Sequence, residues 1–128
     1  PQTRIIGVQA QGASAVSDTW RSGQWTTTET ADTWAEGMAT RVPAEMTLEI
    51  MREVVDDVLL VSDDDLRRAC RTYLDQTHNL VEGAGAASLA AAVVHRDRFQ
   101  GQTVVGIISG GNLDPDELPE ILASEAYS

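Results

Sequence analysis

No lysine occurs in these 128 residues; all nine basic residues are arginine. The chain therefore cannot itself supply a lysine as a Schiff-base or general-base group. A single cysteine, Cys70, excludes an internal disulfide framework and a multi-cysteine metal site. No apolar run approaches the roughly 18 residues that a membrane span requires, so no membrane partner is expected. Positive charge is scarce as well: 9 arginines stand against 20 Asp and Glu, giving a formal net charge of −11. With no basic stripe, a nucleic-acid partner is not expected. An acidic, lysine-free surface fits a high-salt or GC-rich source, because salt screens the self-repulsion. It equally fits a plain soluble acidic protein. The chain starts Pro1-Gln2-Thr3 with no secretory signal pattern, and the expected localisation is cytoplasmic.

What is present is ordinary for a folded chain: 42% hydrophobic and 23% charged residues. The length fits one domain or a piece of a larger one. Arg4-Ile5-Ile6-Gly7-Val8-Gln9 reads as a buried strand, broken at Gly12. Ala13 to Ser22 reads as a short helix ending at Gly23, and the Thr-rich stretch Gln24 to Ala35 as a loop. Trp25 and Trp34 lie in that loop and are expected to anchor it on a core or a neighbouring domain. After Pro43 and Ala44 a helix is expected with Met46, Ile50, Met51, Val54 and Val55 on one face. Val58 to Val61 is a second buried strand. Ser62 then reads as a helix N-cap, with Asp63, Asp64 and Asp65 at the positive end of the dipole and Asp65 at the capping-box position. Leu66, Ala69, Cys70, Tyr73, Leu74 and Thr77 carry that helix onward at i, i+3, i+4 spacing. An alanine-rich helix follows from about Val81 to Arg96. Thr103 to Ile108 is an apolar strand of the doubly covered kind, and Asp114 to Ala123 a last helix interrupted by Pro119. This alternation predicts α/β architecture with a parallel sheet. Three strands are thin for so apolar a run as Val104 to Ile108, whose neighbours must come from elsewhere.

Two stretches could carry chemistry. Ser109-Gly110-Gly111-Asn112 directly follows a strand, where open α/β sheets bind ligands, and two glycines let backbone approach a flat or anionic group closely. The same residues could simply turn the chain. In Glu82-Gly83-Ala84-Gly85 a carboxylate precedes a helix start, where it meets either a ligand or only the helix dipole. His78 reads as a cap or surface group and Cys70 as inert core. Asp63, Asp64 and Asp65 splay around their helix and do not converge on a metal. No nucleophile-elbow pattern supports a triad of Ser109 with His78.

Taken in order, Ile5-Ile6-Gly7-Val8-Gln9-Ala10, Gly37-Met38-Ala39-Thr40-Arg41-Val42-Pro43, Val55-Asp56-Asp57-Val58, Glu82-Gly83-Ala84-Gly85-Ala86 and Ser109-Gly110-Gly111-Asn112 resemble the C-terminal portion of the threonine/serine dehydratase family, pyridoxal-phosphate enzymes of fold type II. The resemblance runs over nearly the whole chain. It implies a partial three-layer α/β/α fold in which residues 1–128 form the C-terminal part of the large, cofactor-binding catalytic domain, without its N-terminal part and without the small domain. It implies pyridoxal 5′-phosphate as cofactor. Ser109 would hydrogen-bond the pyridine nitrogen, Glu82 would lie beside the ring, and Gly37 would line the pocket through its backbone. Gly110, Gly111 and Asn112 would shape the loop. Where the family reads Ala-Asp-Gly, this chain has Ala35-Glu36-Gly37.

The implied parent reaction is that of a lyase, deaminating a small hydroxy amino acid, threonine or serine, to a 2-oxo acid and ammonia. The family's Schiff-base lysine and glycine-rich phosphate loop are absent here, so no catalytic residue is assigned and the isolated chain is expected to be inactive. The serine racemase branch holds a divalent cation through carboxylates after the Gly7-Val8 strand; Gln9 and Ala15 stand there, and no metal site is expected. A truncated sheet is expected to associate with the missing N-terminal part or to form a homo-oligomer. The rival expectation is a free-standing, non-enzymatic α/β ligand-binding or interaction module, whose glycine loops only turn the chain.

Overall fold

The computed structural model describes residues 3–128. Strand β1 spans Ile6–Ala10 and passes through a 3₁₀ turn at Gln11–Ala13 into helix α1, Ala15–Ser22. A second 3₁₀ turn, Glu36–Met38, precedes helix α2, Glu45–Val54, and strand β2, Asp57–Val61. Helices α3, Asp63–Thr77, and α4, Gly83–Val94, follow, and a short helix α5, Leu118–Ala123, closes the order. β1 and β2 pair in parallel, from Ile6 opposite Asp57 to Ala10 opposite Val61. Their connection through α1 and α2 is the helical crossover that parallel strands require. Val58, Leu59 and Val61 of β2 are buried, so both faces of that strand are covered, as its unbroken apolar run predicts.

Charge fixes where the strands begin. Asp57 opens β2 and takes Arg21 at 2.8 Å on one carboxylate oxygen and Arg98 at 2.6 Å on the other. Arg21 also donates to the Val58 carbonyl. Burial alone would raise the Asp57 pKa, but the hydrogen bond from Arg98, the bond from the Val58 N–H and the two positive charges outweigh it and hold the carboxyl below its ordinary value. A depressed carboxyl stabilises the fold above its unfolded-state pKa of about 3.9, and the contribution disappears as pH falls through the folded value. Asp57→Asn is therefore expected to destabilise the neutral protein by about 1–3 kcal/mol and to flatten stability against pH below about 4. Urea unfolding from pH 2 to 7 checks this; parallel pH curves for both proteins would contradict it.

The core lies between the sheet, α3 and α4. Ser62 caps α3 through a full capping box with Asp65, and Leu66, Ala69 and Cys70 turn inward. The alanines of α4, Ala86, Ala87, Ala90 and Ala91, are all buried, which lets α4 lie close against α3 and the strands. Desolvation pushes the buried Cys70 thiol up to about 12. At neutral pH it is thus no nucleophile, and alkylation by iodoacetamide should occur only after unfolding; labelling of the folded chain would contradict that. The C-terminal residues are strapped to α3. Arg71 donates to the Leu122 carbonyl, the Arg68 guanidinium lies 4.4 Å from the Tyr127 ring centroid, and the Tyr127 hydroxyl donates to the Asp65 carbonyl at 3.2 Å.

Four expectations need correction. Thr103 to Ile108 joins no ladder: among the described residues the sheet has two strands, and Val105 and Ile107 are exposed. The run has the residues of a strand without the partners that would pair it. In α2 the buried residue is Leu48, whereas Met46, Ile50 and Val54 face out. That helix is apolar on two sides, and the described residues cover only one. Pro119 does not interrupt the last helix; it sits in the first turn of α5, where its missing N–H is unneeded. Of the two loop tryptophans only Trp34 packs on the core, while Trp25 is exposed.

Candidate functional site

Three separate chain segments meet at the N-terminal end of α4. Glu82 is the N-cap of α4, in extended backbone geometry, and its N–H donates to the Gly110 carbonyl at 3.3 Å. Its carboxylate lies directly against the same loop: a Cβ at position 110 would sit 1.9 Å from Glu82 Oε1. Glycine at 110 thus leaves space for that carboxylate. The glycine at 37 serves the third segment, since a Cβ there would come within 2.9 Å of the Ala84 Cβ. The turn Glu36–Met38 can therefore seat on the first turn of α4.

A further set of contacts holds this junction from behind. The Asp63 carboxylate accepts from the Thr33 hydroxyl at 2.6 Å and from the Trp34 N–H at 3.1 Å, and the Trp34 indole N–H donates to the Asp63 carbonyl at 3.3 Å. The Arg67 guanidinium stacks 5.2 Å from the Trp34 ring centroid. One of the three aspartates at the start of α3 thus ties down the loop that carries Gly37, while Asp65 closes the capping box.

Between these segments lies an open cavity of about 760 Å³, lined among others by Trp34, Gly37, Glu82, Asn112 and Leu113. Of the sequence-predicted residues, Gly37, Glu82 and Asn112 border it. Ser109, Gly110 and Gly111 do not: Gly110 and Gly111 lie against Glu82 and the Leu80 carbonyl, and Ser109 is exposed one residue earlier, with no hydrogen bond among the described residues. Sequence reasoning missed Glu36, Asp114 and Glu117 as lining groups. The Ala35-Glu36-Gly37 motif carried a signal for the first. The other two follow Asn112 in the chain, which keeps to the cavity from Asn112 to Pro115, a course that no local pattern announces. The charged lining residues, Glu36, Glu82, Asp114 and Glu117, are all carboxylates.

The remaining candidates fall elsewhere. His78 is the C-cap of α3, exposed and in left-handed backbone geometry, with its Nδ1 3.2 Å from the Leu74 carbonyl. Gln9 is buried, and its side-chain oxygen accepts from the Ser17 N–H at 2.8 Å, so it braces the start of α1. Ala15, at the other position compared with the cation-binding branch, is fully buried. Among the described residues no group of three or more His, Cys, Asp or Glu is arranged to hold a metal.

The donor set suits a flat, neutral-faced ring better than an anion. At the cavity glycine backbone is exposed at Gly37 and the flanking charges are negative, while the Ser109 hydroxyl is exposed outside the lining, with no hydrogen bond among the described residues. The exposed Gly37 backbone leaves room for the ring side of pyridoxal phosphate, and four lining carboxylates repel a phosphate group.

The family described as pyridoxal-phosphate dependent enzyme matches residues 1–110. The catabolic L-threonine dehydratase of Escherichia coli (strain K12) is 37% identical over 123 residues, covering 94% of this chain and 37% of the relative. The L-threonine ammonia-lyase of Thermotoga maritima is 31% identical over 95% of this chain and 30% of its own length. Among solved structures, the processed form of threonine deaminase isoform 2 from Solanum lycopersicum superposes with a TM-score of 0.87 at 30% identity, covering 96% of this chain and 34% of that one. Maize serine racemase gives 0.81 at 28% identity, over 94% and 38%. The chain spans roughly a third of the length of the curated relatives it matches.

Proposed function

Because this chain belongs to the pyridoxal-phosphate-dependent enzyme family, we propose that it is the C-terminal part of the large domain of a dehydratase that deaminates threonine or serine to a 2-oxo acid and ammonia. The observation that carries this reading is the convergence of Gly37, Glu82 and Asn112 on one cavity beside the Ser109 loop. When bound, pyridoxal phosphate supplies a conjugated ring that accepts the electron pair released at the substrate α-carbon.

The chain's own residues orient and tune. From the loop beside the cavity, the Ser109 hydroxyl would be the neutral partner for the ring nitrogen and would leave it largely unprotonated, which moderates electron withdrawal and suits loss of a β-hydroxyl. Glu82, held against Gly110, forms the wall beside the ring. Gly37 lets backbone come close without a side chain in the way, and Asn112 borders the cavity. With four carboxylates lining this wall, residues outside these 128 would hold the cofactor phosphate and the substrate carboxylate. A lysine to anchor the cofactor would come from there too, since these 128 residues contain none.

The test is a chimera of the E. coli catabolic relative in which the 123 matched residues are replaced by those of this chain. Ser109→Ala in that protein is expected to leave the fold intact and to lower 2-oxo acid formation from threonine about tenfold, the scale of one lost hydrogen bond of roughly 1–1.5 kcal/mol. Unchanged turnover and unchanged cofactor affinity would remove Ser109 from the ring nitrogen.

A further inference from the structure

The cavity at the start of α4 has two rims, and one side chain outside its lining touches both. One rim is the turn from Trp34 to Gly37; the other is the stretch from Asn112 to Glu117. Arg67 of α3 places its guanidinium 5.2 Å from the Trp34 ring centroid. Its Nη2 forms an ion pair with Glu120 Oε2 at 2.8 Å, and its Nη1 stands 3.5 Å from Asp64 of its own helix. Glu120 belongs to α5, which continues directly from the 3₁₀ turn Pro115–Glu117 on the second rim. Trp34 in turn is wedged on α4, since a Cβ at position 83 would come within 2.8 Å of the indole edge.

Arg67 is a poor group for packing alone. Its Nε is buried with no hydrogen-bond partner among the described residues, and an unpaired buried donor costs stability. An apolar side chain of similar length removes that cost, so the fold of α3 does not require the charge. The guanidinium joins instead: its plane meets Trp34 and its edge meets Glu120. The far end of α5 is held separately. Arg71 donates to the Leu122 and Ser124 carbonyls, and Arg68 to the Glu125 carbonyl at 3.2 Å. Of these three arginines, Arg67 is the one that reaches both the loop carrying Gly37 and the part of α5 next to the second rim.

We propose that Arg67 is a positioning residue that couples the two rims and sets the gap between the Gly37 turn and residues 112–117. Releasing either end of the guanidinium then loosens both rims. The coupling itself needs no ligand. Its bearing on catalysis rests on the dehydratase reading above: with the gap fixed, Gly37 and Asn112 would border the cofactor ring at a constant separation. A wall of that kind serves ground state and transition state alike, so its loss shows as weaker binding at unchanged kcat.

Hydrogen exchange read by mass spectrometry tests the coupling on the full 128-residue chain and on the E. coli chimera described above. The reporters are the Met38 and Ala39 amides, bonded to the Ala35 and Glu36 carbonyls, and the Glu117 amide, bonded to the Asp114 carbonyl. Arg67→Met should speed exchange at both rims about fivefold, the scale of a partly exposed ion pair plus a cation–π contact, with α4 still protected. Glu120→Gln touches only the α5 side, yet should speed Met38 and Ala39 about twofold. Arg71→Met, which frees the far end of α5, should leave Met38 and Ala39 unchanged. In the chimera, Arg67→Met should weaken pyridoxal phosphate binding about fivefold while kcat for threonine at saturating cofactor stays within about twofold. If Arg67→Met costs α4 its protection, Glu120→Gln decides. Unchanged exchange at Met38 and Ala39 in Glu120→Gln overturns the coupling, as does an equal response to Arg71→Met. Coupled rims with unchanged cofactor affinity would overturn the positioning role. Coupled rims in a chimera that binds no cofactor would keep the brace and defeat the dehydratase reading.

Discussion

Leu66→Ala should lower the stability of the chain by about 2–5 kcal/mol, a large share of the 5–15 kcal/mol typical of a domain. Leu66 is wholly buried on α3, in the cluster that joins β2, α4 and α5. Its removal leaves a cavity that close-packed alanines on α4 have no side-chain length to fill. Ile107→Ala, at a comparably sized apolar residue that is 73% exposed, should change stability by less than about 0.5 kcal/mol. Urea midpoints at constant m-value measure both. Equal losses at the two positions would mean that residues 103–108 pack into this core.

The second large effect is local to the site. A Cβ at position 85 would stand 2.3 Å from the Gly110 carbonyl oxygen and 2.9 Å from a Val81 methyl. Backbone is the obstacle at the first of these, so Gly85→Val must lift the Ser109–Asn112 loop off α4. The expected cost is about 1–3 kcal/mol, the range for overpacking. Its signature is faster exchange of the Glu82 amide, whose acceptor is the Gly110 carbonyl, with protection of α3 retained. In the chimera the same change should abolish cofactor absorbance. A Glu82 amide that keeps its protection would mean that the loop does not depend on this contact.

Much of this was readable from residues alone, and the exceptions share a cause. β1, β2 and α3 are locally determined: apolar runs bounded by breakers, and a capping box whose Ser62 and Asp65 are three residues apart. The Glu82 and Gly37 positions followed from the family resemblance, and the structure brings both to one cavity. What stayed hidden depends on contacts distant in sequence. Whether Thr103–Ile108 pairs is decided by its neighbours, not its own pattern. The burial of Leu48 in place of Ile50 depends on which side of α2 the rest of the fold covers. Asp114 and Glu117 join the cavity because the chain keeps to its rim after Asn112. Asp63 read as dipole charge, yet it also fastens the Trp34 loop, a role set by a partner about thirty residues away.

The central claim is that these residues form one wall of a cofactor site whose lysine-bearing wall lies outside them. Formation of 2-oxo acid and ammonia from threonine and from serine, with pyridoxal phosphate added, measures it most directly. No turnover is expected from the 128-residue chain alone, and turnover is expected from the chimera that restores the rest of the enzyme. Turnover by the isolated chain, or a folded chimera that neither binds the cofactor nor deaminates either amino acid, would contradict it.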